Sequence, residues 1–239
     1  MDLGSMLRSR IKRARLRGSL WVRAWDSIRP AFTAAGRGQL WTTIAHRREV
    51  HQVTPYTAED RYPELMDLAA RLGANPDRIL SFGCSTGEEL VTLRRYFPSA
   101  EIVGVEINPR SRRIAVRRVA RDPRTCVLPP TAVQGSFDLV LALAVLQREP
   151  HKIADMHVED LSTHYPFERF DRAISDLVNR LSPGGLLCVI NAHYPVEAAT
   201  AVGKLGPIAD SPLMEPPLFG SDGRRLADPI ARTIFRKLD

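Results

Sequence analysis

The residues best suited to binding a ligand lie in one stretch, from Arg78 to Asn108. A small-residue turn at 83–87 follows a short apolar run, and its two glycines can adopt backbone angles that let a ligand approach the main chain. An acid, Glu106, ends a second apolar run 23 residues after Gly83. A carboxylate there can accept hydrogen bonds from both hydroxyls of a ribose. The stretch therefore predicts a nucleoside site.

One βαβ unit must position these residues. Residues 79–82 have the length of a buried strand, residues 88 to about 97 are predicted to form a helix ended by Pro98, and 102–105 form the second strand. A parallel βαβ unit is right-handed and holds its ligand at the carboxyl ends of the strands. The turn and Glu106 are both expected at that edge.

The glycine pattern argues against a dinucleotide. That fingerprint requires glycine at its first, third and sixth positions. Counted from Gly83, the third position is Ser85 and the sixth is Glu88. Glu88 would place negative charge where a helix N-terminus should bind a pyrophosphate. This argues against NAD and FAD. S-adenosylmethionine has a ribose and a sulfonium but no phosphate, so the pattern tolerates it.

The same segment resembles motif I of class I S-adenosylmethionine-dependent methyltransferases, usually written LDxGxGxG. The motif falls here on Leu80, Ser81, Gly83, Ser85 and Gly87, where Ser81 replaces the usual acid and Ser85 the middle glycine. The string CSTGEE is also similar to that of chemotaxis-receptor methyltransferases, a branch of the superfamily. The resemblance extends over roughly residues 60–239.

The resemblance implies S-adenosylmethionine as the cofactor. The implied cofactor-binding residues are Gly83, Cys84, Ser85, Gly87, Glu106, Ile107 and Leu143. The turn would approach the amino-acid portion of the cofactor, Glu106 would hold its ribose, and Leu143 would lie next to the methyl group. In many relatives an acid after the third strand holds the adenine, whereas Pro129 and Pro130 follow the predicted strand 125–128 here.

The resemblance also implies an α/β fold. We expect a Rossmann-like seven-stranded, mostly parallel sheet with helices on both faces. The string FDLV at 137–140 resembles the start of the fourth strand, and LSPGG at 181–185 resembles the approach to the fifth. An antiparallel hairpin, from about Leu218 to Lys237, should close the sheet, with its last strand beside the fifth. A helix capped by Thr57 is predicted to precede the first strand and to end at Leu72.

The acceptor of the methyl group is less defined. His193, at the carboxyl end of the fifth strand, is the preferred catalytic base, with His151, His157 and His164 as an alternative reservoir. Residues 143–147 lack the Asn/Asp-Pro-Pro-Tyr motif of amino-group methylation, which favours a small molecule or a membrane-associated metabolite. A protein carboxylate and a non-catalytic nucleoside-binding protein are alternatives.

The charge distribution separates an N-terminal segment from the rest. The 239-residue chain has a net charge of +7, and residues 1–50 hold 11 Lys/Arg and 3 Asp/Glu, a net of +8. We predict a basic extension at 1–56, helical or partly disordered, ahead of the methyltransferase domain at 57–239. A solvated or packed helix is the favoured interpretation. Peripheral contact of residues 3–32 with anionic lipid comes second, and nucleic acid is unlikely.

Three cysteines without metal or disulfide spacing favour a reduced cytoplasmic compartment, peripheral to a membrane if residues 3–32 bind lipid. All apolar runs of the sequence are too short to form a membrane-spanning helix. No metal site is predicted, because the histidines of 148–165 do not share one helical face.

Overall fold

The computed structural model describes residues 51–52, 58–73, 75–208, 214, 217–227 and 231–239. All of them belong to Arg48–Asp239, the second of two units into which the chain divides. The predicted basic extension at 1–56 lies outside the described residues, apart from 51–52. Its helix, its lipid contact at 3–32 and its boundary with the domain therefore stay predictions.

A single seven-stranded sheet forms the centre of this unit. The strands are β1 Arg78–Phe82, β2 Glu101–Val105, β3 Thr125–Leu128, β4 Phe137–Leu143, β5 Leu181–Ile190, β6 Leu205–Pro207 and β7 Ile234–Lys237. Their order is β3-β2-β1-β4-β5-β7-β6. Strands β1 to β5 are mutually parallel, whereas β7 is antiparallel to both β5 and β6. The predicted Rossmann-like, mostly parallel sheet is confirmed.

Helices cover both faces of the sheet. They are α1 Pro63–Gly73, α2 Glu88–Tyr96, α3 Pro109–Arg118, α4 Pro150–Asp155 and α5 Phe167–Arg180, with short 3₁₀ turns at Pro130–Ala132, Val196–Ala198 and Thr200–Lys204. Successive residues of a strand face opposite sides, so Ile79 and Leu80 lie in different hydrophobic clusters. Among the described residues, no helix has the length and apolar character needed to span a bilayer.

Local signals explain where α3 begins. The side chain of Asn108 accepts hydrogen bonds from the amides of Arg110 and Ser111, and Pro109 occupies the first helical position. Asn is a favoured N-cap, and proline lacks an amide that would be unpaired there anyway. The cap residue lies two residues after Glu106, so the start of α3 and the acid are positioned together.

Two predicted elements differ from the structure. The antiparallel hairpin is present, but β7 pairs with β6 at Leu205–Pro207 and not with the segment around Phe219. Phe219 is fully buried, and its amide donates to the carbonyl of His193, so it lies in the core and makes only an isolated bridge to Arg225. Helix α1 begins at Pro63, and the predicted cap at Thr57 lies outside the described residues.

Candidate active site

The turn after β1 adopts a conformation that requires small residues. Gly83 and Gly87 have φ of +81° and +91°, and Ser85 has φ of +49°. A Cβ on Gly83 would lie 2.5 Å from Cγ2 of Val145, which follows β4. The amides of Gly83 and Cys84 both donate to the carbonyl of Val105, at 2.8 and 2.9 Å. The turn is therefore fixed against the ends of β2 and β4.

Glu106 lies directly after β2 and holds the turn from the other side. One of its carboxylate oxygens accepts the amide of Ser85 at 2.9 Å, and the other accepts the amide of Asn108 at 2.6 Å. Burial raises the pKa of Glu106, while these two amides and the charge of Arg112 act in the opposite direction. Each oxygen retains a second lone pair, which is what a ribose diol needs.

A second carboxylate, Glu89, was missed by the sequence reasoning. It lies in the first turn of α2, and its Oε1 accepts a hydrogen bond from the hydroxyl of Ser81 at 2.7 Å. Burial raises the pKa of Glu89 to about 7, although the Ser81 hydroxyl and the charge of Arg61 act to lower it. Ser81 stands where motif I usually has an acid, so α2 places a carboxylate beside the position that lacks one. The double acid after Gly87 was the available signal.

The start of α2 is unsuited to a phosphate. Glu88 accepts a hydrogen bond from Thr86 at 2.7 Å and pairs with Arg118 at 2.5 Å, so it is held in the first helical turn. Together with Glu89, it gives that turn two acids. Anions bind at helix N-termini because of the exposed amides and the helix dipole, and these acids oppose such binding.

Ser85 contributes an unsatisfied polar atom to the turn. Its hydroxyl oxygen is buried and has no hydrogen-bond partner in the described part of the chain. Buried polar atoms normally have a partner, so this hydroxyl can bond to a ligand or to an ordered water. The turn and the two carboxylates whose pKa burial raises, Glu89 and Glu106, fit a cationic nucleoside, and the residues present therefore fit S-adenosylmethionine.

The remaining predicted cofactor residues lie around the same edge. Ile107 separates Glu106 from Asn108, and Leu143 ends β4 with 6% of its surface exposed. The side chain of Cys84 instead points into the core, because a Cβ on Gly104 would lie 2.9 Å from its sulfur. Cys84 can reach a ligand only through its backbone. The roles of these residues stay predictions.

His193, the predicted base, is 2% exposed and follows β5. Its Nε2 lies 2.9 Å from the carbonyl oxygen of Arg148, so Nε2 carries the proton and Nδ1 keeps a lone pair. Burial lowers the pKa of His193, against the hydrogen bond to that carbonyl, which raises it. The ring is neutral at physiological pH, and its catalytic role stays a prediction.

A second buried imidazole, His51, lies close to the first. Its Nδ1 is 2.5 Å from the hydroxyl of Tyr165, and its ring is 6.0 Å from that of Phe82, the last residue of β1. Tyr165 is fully buried, with its ring 6.1 Å from that of His193. Burial, with the charges of Arg169 and Arg148, lowers the pKa of His51 to about 3.

The other histidines considered as bases are placed differently. His151, His157 and His164 are exposed on α4 and on the segment between α4 and α5. The described residues contain no group of three or more His, Cys, Asp or Glu side chains that could hold a metal ion. The buried imidazoles among the described residues are therefore His51 and His193.

Comparison with known proteins places the chain in a family. The sequence model of the methyltransferase domain matches residues 57–206. Similar solved structures include the N-methyltransferase NodS from Bradyrhizobium japonicum with S-adenosyl-L-homocysteine, with 17% identity, coverage of 83% of this chain and 99% of that chain, and a TM-score of 0.49. CalS10 from Micromonospora echinaspora, an amino pentose methyltransferase, has 19% identity, coverage of 72% and 62%, and a TM-score of 0.42.

The StiE O-methyltransferase segment has 20% identity, coverage of 70% and 49%, and a TM-score of 0.40, so this chain spans about half of its length. A comparison with curated protein sequences found no match. The match to the methyltransferase domain spans more than half of the sequence, which confirms the predicted methyltransferase family. The chain therefore belongs to the methyltransferase domain family.

Proposed function

We propose that this chain transfers a methyl group from S-adenosylmethionine to a small-molecule acceptor. The observation that carries the proposal is the pair of carboxylates around the turn after β1, Glu89 on Ser81 and Glu106 on the amide of Ser85. When bound, the cofactor supplies a methyl group on a sulfonium, which a nucleophile can displace in line. The protein mainly positions the two reactants, a contribution worth up to about 7–11 kcal/mol.

The two carboxylates have different tasks in this proposal. Glu106 binds the ribose hydroxyls with the lone pairs that the amides of Ser85 and Asn108 leave open. Glu89 faces the cationic amino-acid portion, in place of the acid that Ser81 replaces. Burial without a nearby cation disfavours the ionised carboxylate and raises its pKa, whereas a bound cation favours the ionised form.

Two observations support a small molecule over a nucleic-acid base or a protein side chain. The segment after β4 lacks a polar base-reading motif, since Leu143 to Leu146 are apolar. The carboxyl ends of β1 and β5 are covered by His51, Tyr165 and His193, all buried. Such a covered edge suits an acceptor that can be enclosed.

His193 is the proposed base for an acceptor that arrives protonated. Its Nδ1 has the free lone pair, because Nε2 donates to the carbonyl of Arg148. A positioned base contributes typically about 10²–10⁴-fold to a rate. We expect His193→Ala to lower kcat by a factor in that range while leaving the dissociation constant of S-adenosylmethionine unchanged.

The function is tested first by calorimetric titration with S-adenosylmethionine, S-adenosylhomocysteine and NADH. The two adenosyl ligands should bind and NADH should not. A labelled-methyl assay on fractionated cell extract then identifies the acceptor by size, and label in the small-molecule fraction is expected. Label in protein would instead favour a protein carboxylate acceptor. Binding of neither adenosyl ligand would leave only a protein that uses the fold without catalysis.

A further inference from the structure

The outward face of α3 carries an unusual concentration of positive charge. Residues 109–121 include six arginines and no acid. Arg110, Arg113 and Arg117 are spaced three and four residues apart, so they lie along one face of the helix, and all three are exposed. Ser111 and Ala115 are buried and mark the opposite face, which packs on the domain.

These three guanidinium groups have no partners among the residues that the structure describes. Some other arginines of the described residues are paired, as Arg94 is with Asp122 at 2.7 Å. Within the described part of the chain, Arg110, Arg113 and Arg117 make no ion pair and no side-chain hydrogen bond. Unneutralised charges on one helical face repel one another, so the face is suited to a partner that brings negative charge.

Two exposed aliphatic side chains flank the arginines. Ile114 is 37% exposed and Val116 is 46% exposed, and they lie on either side of the row that the arginines form. An outward helical face that combines arginines with aliphatic side chains is suited to the boundary between lipid headgroups and acyl chains. Arginines also suit nucleic-acid phosphates. The exposed aliphatic side chains have no such use, and residues 109–121 contain neither aromatic side chains for stacking nor amides for base edges, so lipid is favoured.

We propose that the outward face of α3 docks the domain on an anionic lipid surface, with Arg110, Arg113 and Arg117 on the headgroups and Ile114 and Val116 at the acyl boundary. This surface is separate in sequence from the basic segment 1–50 and does not depend on the proposed function. Because the N-cap of α3, Asn108, lies two residues after Glu106, a docked domain holds Glu106 close to the lipid.

The test is sedimentation of the full chain with vesicles of phosphatidylcholine alone and of phosphatidylcholine with phosphatidylserine. The variant R110Q/R113Q/R117Q removes three charges. Each arginine near an anionic surface contributes about 1 kcal/mol, roughly a fivefold change in partitioning, so the triple variant should bind about 100-fold more weakly. The substitutions I114S/V116S should weaken binding that survives high salt, because ions screen only the charged part.

The matched control is R71Q/R172Q/R224Q, which removes the same charge from exposed arginines on other parts of the domain. Any contribution of residues 1–50 is common to all variants, and unchanged melting temperatures verify folding. The control should bind like the wild type. Equal loss in both triple variants, no loss in either, or equal binding of the wild type to both vesicle types would overturn the proposal.

The same variants are titrated against a labelled DNA duplex and a labelled single strand. Loss of nucleic-acid binding in R110Q/R113Q/R117Q, with vesicle binding retained, would assign the face to nucleic acid and reject the lipid surface. Vesicle binding that is lost in that variant and kept in the control confirms the proposal.

Discussion

Protonation of Glu89 should control the affinity for S-adenosylmethionine. Burial raises the pKa of this carboxyl to about 7, and a protonated acid cannot pair with a cationic ligand. A group with pKa 7 is about 50% ionised at pH 7 and about 3% ionised at pH 5.5. If the ionised form binds, affinity should fall about 15-fold over that interval, equivalent to about 1.6 kcal/mol. The amino group of the ligand stays protonated throughout.

Isothermal calorimetry measures both parts of this linkage. The dissociation constant is measured across pH 5.5–7.0, and titration at pH 7 in buffers of different ionisation enthalpy counts the protons released. A carboxyl that is half protonated before binding should release about 0.5 proton. S-adenosylhomocysteine keeps the ammonium but lacks the sulfonium, so comparing its pH profile shows which cation the carboxylate pairs with.

Two variants make the test specific to one carboxyl. In Glu89→Gln, the component of the pH profile centred near pH 7 should disappear and affinity at pH 7 should fall. Glu88→Gln is the matched control, because Glu88 lies in the same helical turn as Glu89 but its carboxylate pairs with Arg118 of α3. The reasoning is wrong if the wild-type profile is flat, or if Glu89→Gln keeps a midpoint near pH 7.

Four further changes test the turn, the proposed ribose site and the contact between His51 and Tyr165. Glu106→Ala should weaken S-adenosylmethionine binding by about 10- to 100-fold in calorimetry, since charge-assisted hydrogen bonds are lost. Gly87→Ala should cost about 1–2 kcal/mol of the free energy of unfolding in urea, because φ is +91° there, whereas Gly203→Ala, with open space around its Cβ position, should cost less. Tyr165→Phe should cost about 1–3 kcal/mol in the same assay by leaving His51 without its partner. Burial lowers the pKa of His51 to about 3, so as the pH falls His51 takes up a proton in the unfolded chain before it does so in the folded one. The free energy of unfolding measured above pH 6.5 should therefore fall by about 2 kcal/mol at pH 5, and the fall should be smaller in His51→Gln.

The sequence predicted the parts of the fold that depend on local patterns. Strand β3 has the predicted bounds, 125–128, and β4 begins at Phe137 as expected, because apolar runs act over a few residues. The first strand of the closing hairpin was misplaced. Leu205–Pro207 is only three residues long and has no alternation to detect, whereas Leu218 and Phe219 are apolar because they fill the core.

The candidate site likewise has parts that the local sequence predicts and parts that only the fold brings together. The turn and Glu106 were predicted from spacing, and the structure joins them through the amide of Ser85. Glu89 was missed because its partner, Ser81, lies on a different element, and a raised pKa depends on burial that no single residue type reveals. His51 and Tyr165 are 114 residues apart, so their contact exists only through the fold.

The order of the strands has a consequence for chain synthesis. Strand β7 comes after β6 in the sequence yet lies between β5 and β6, so the sheet has a gap until residues 234–237 have emerged. A chain truncated before Ile234 would expose two unpaired edges, which invite self-association. The same gap could accept a synthetic peptide of residues 231–239 by strand addition, which would convert an aggregating fragment into a complemented, soluble one.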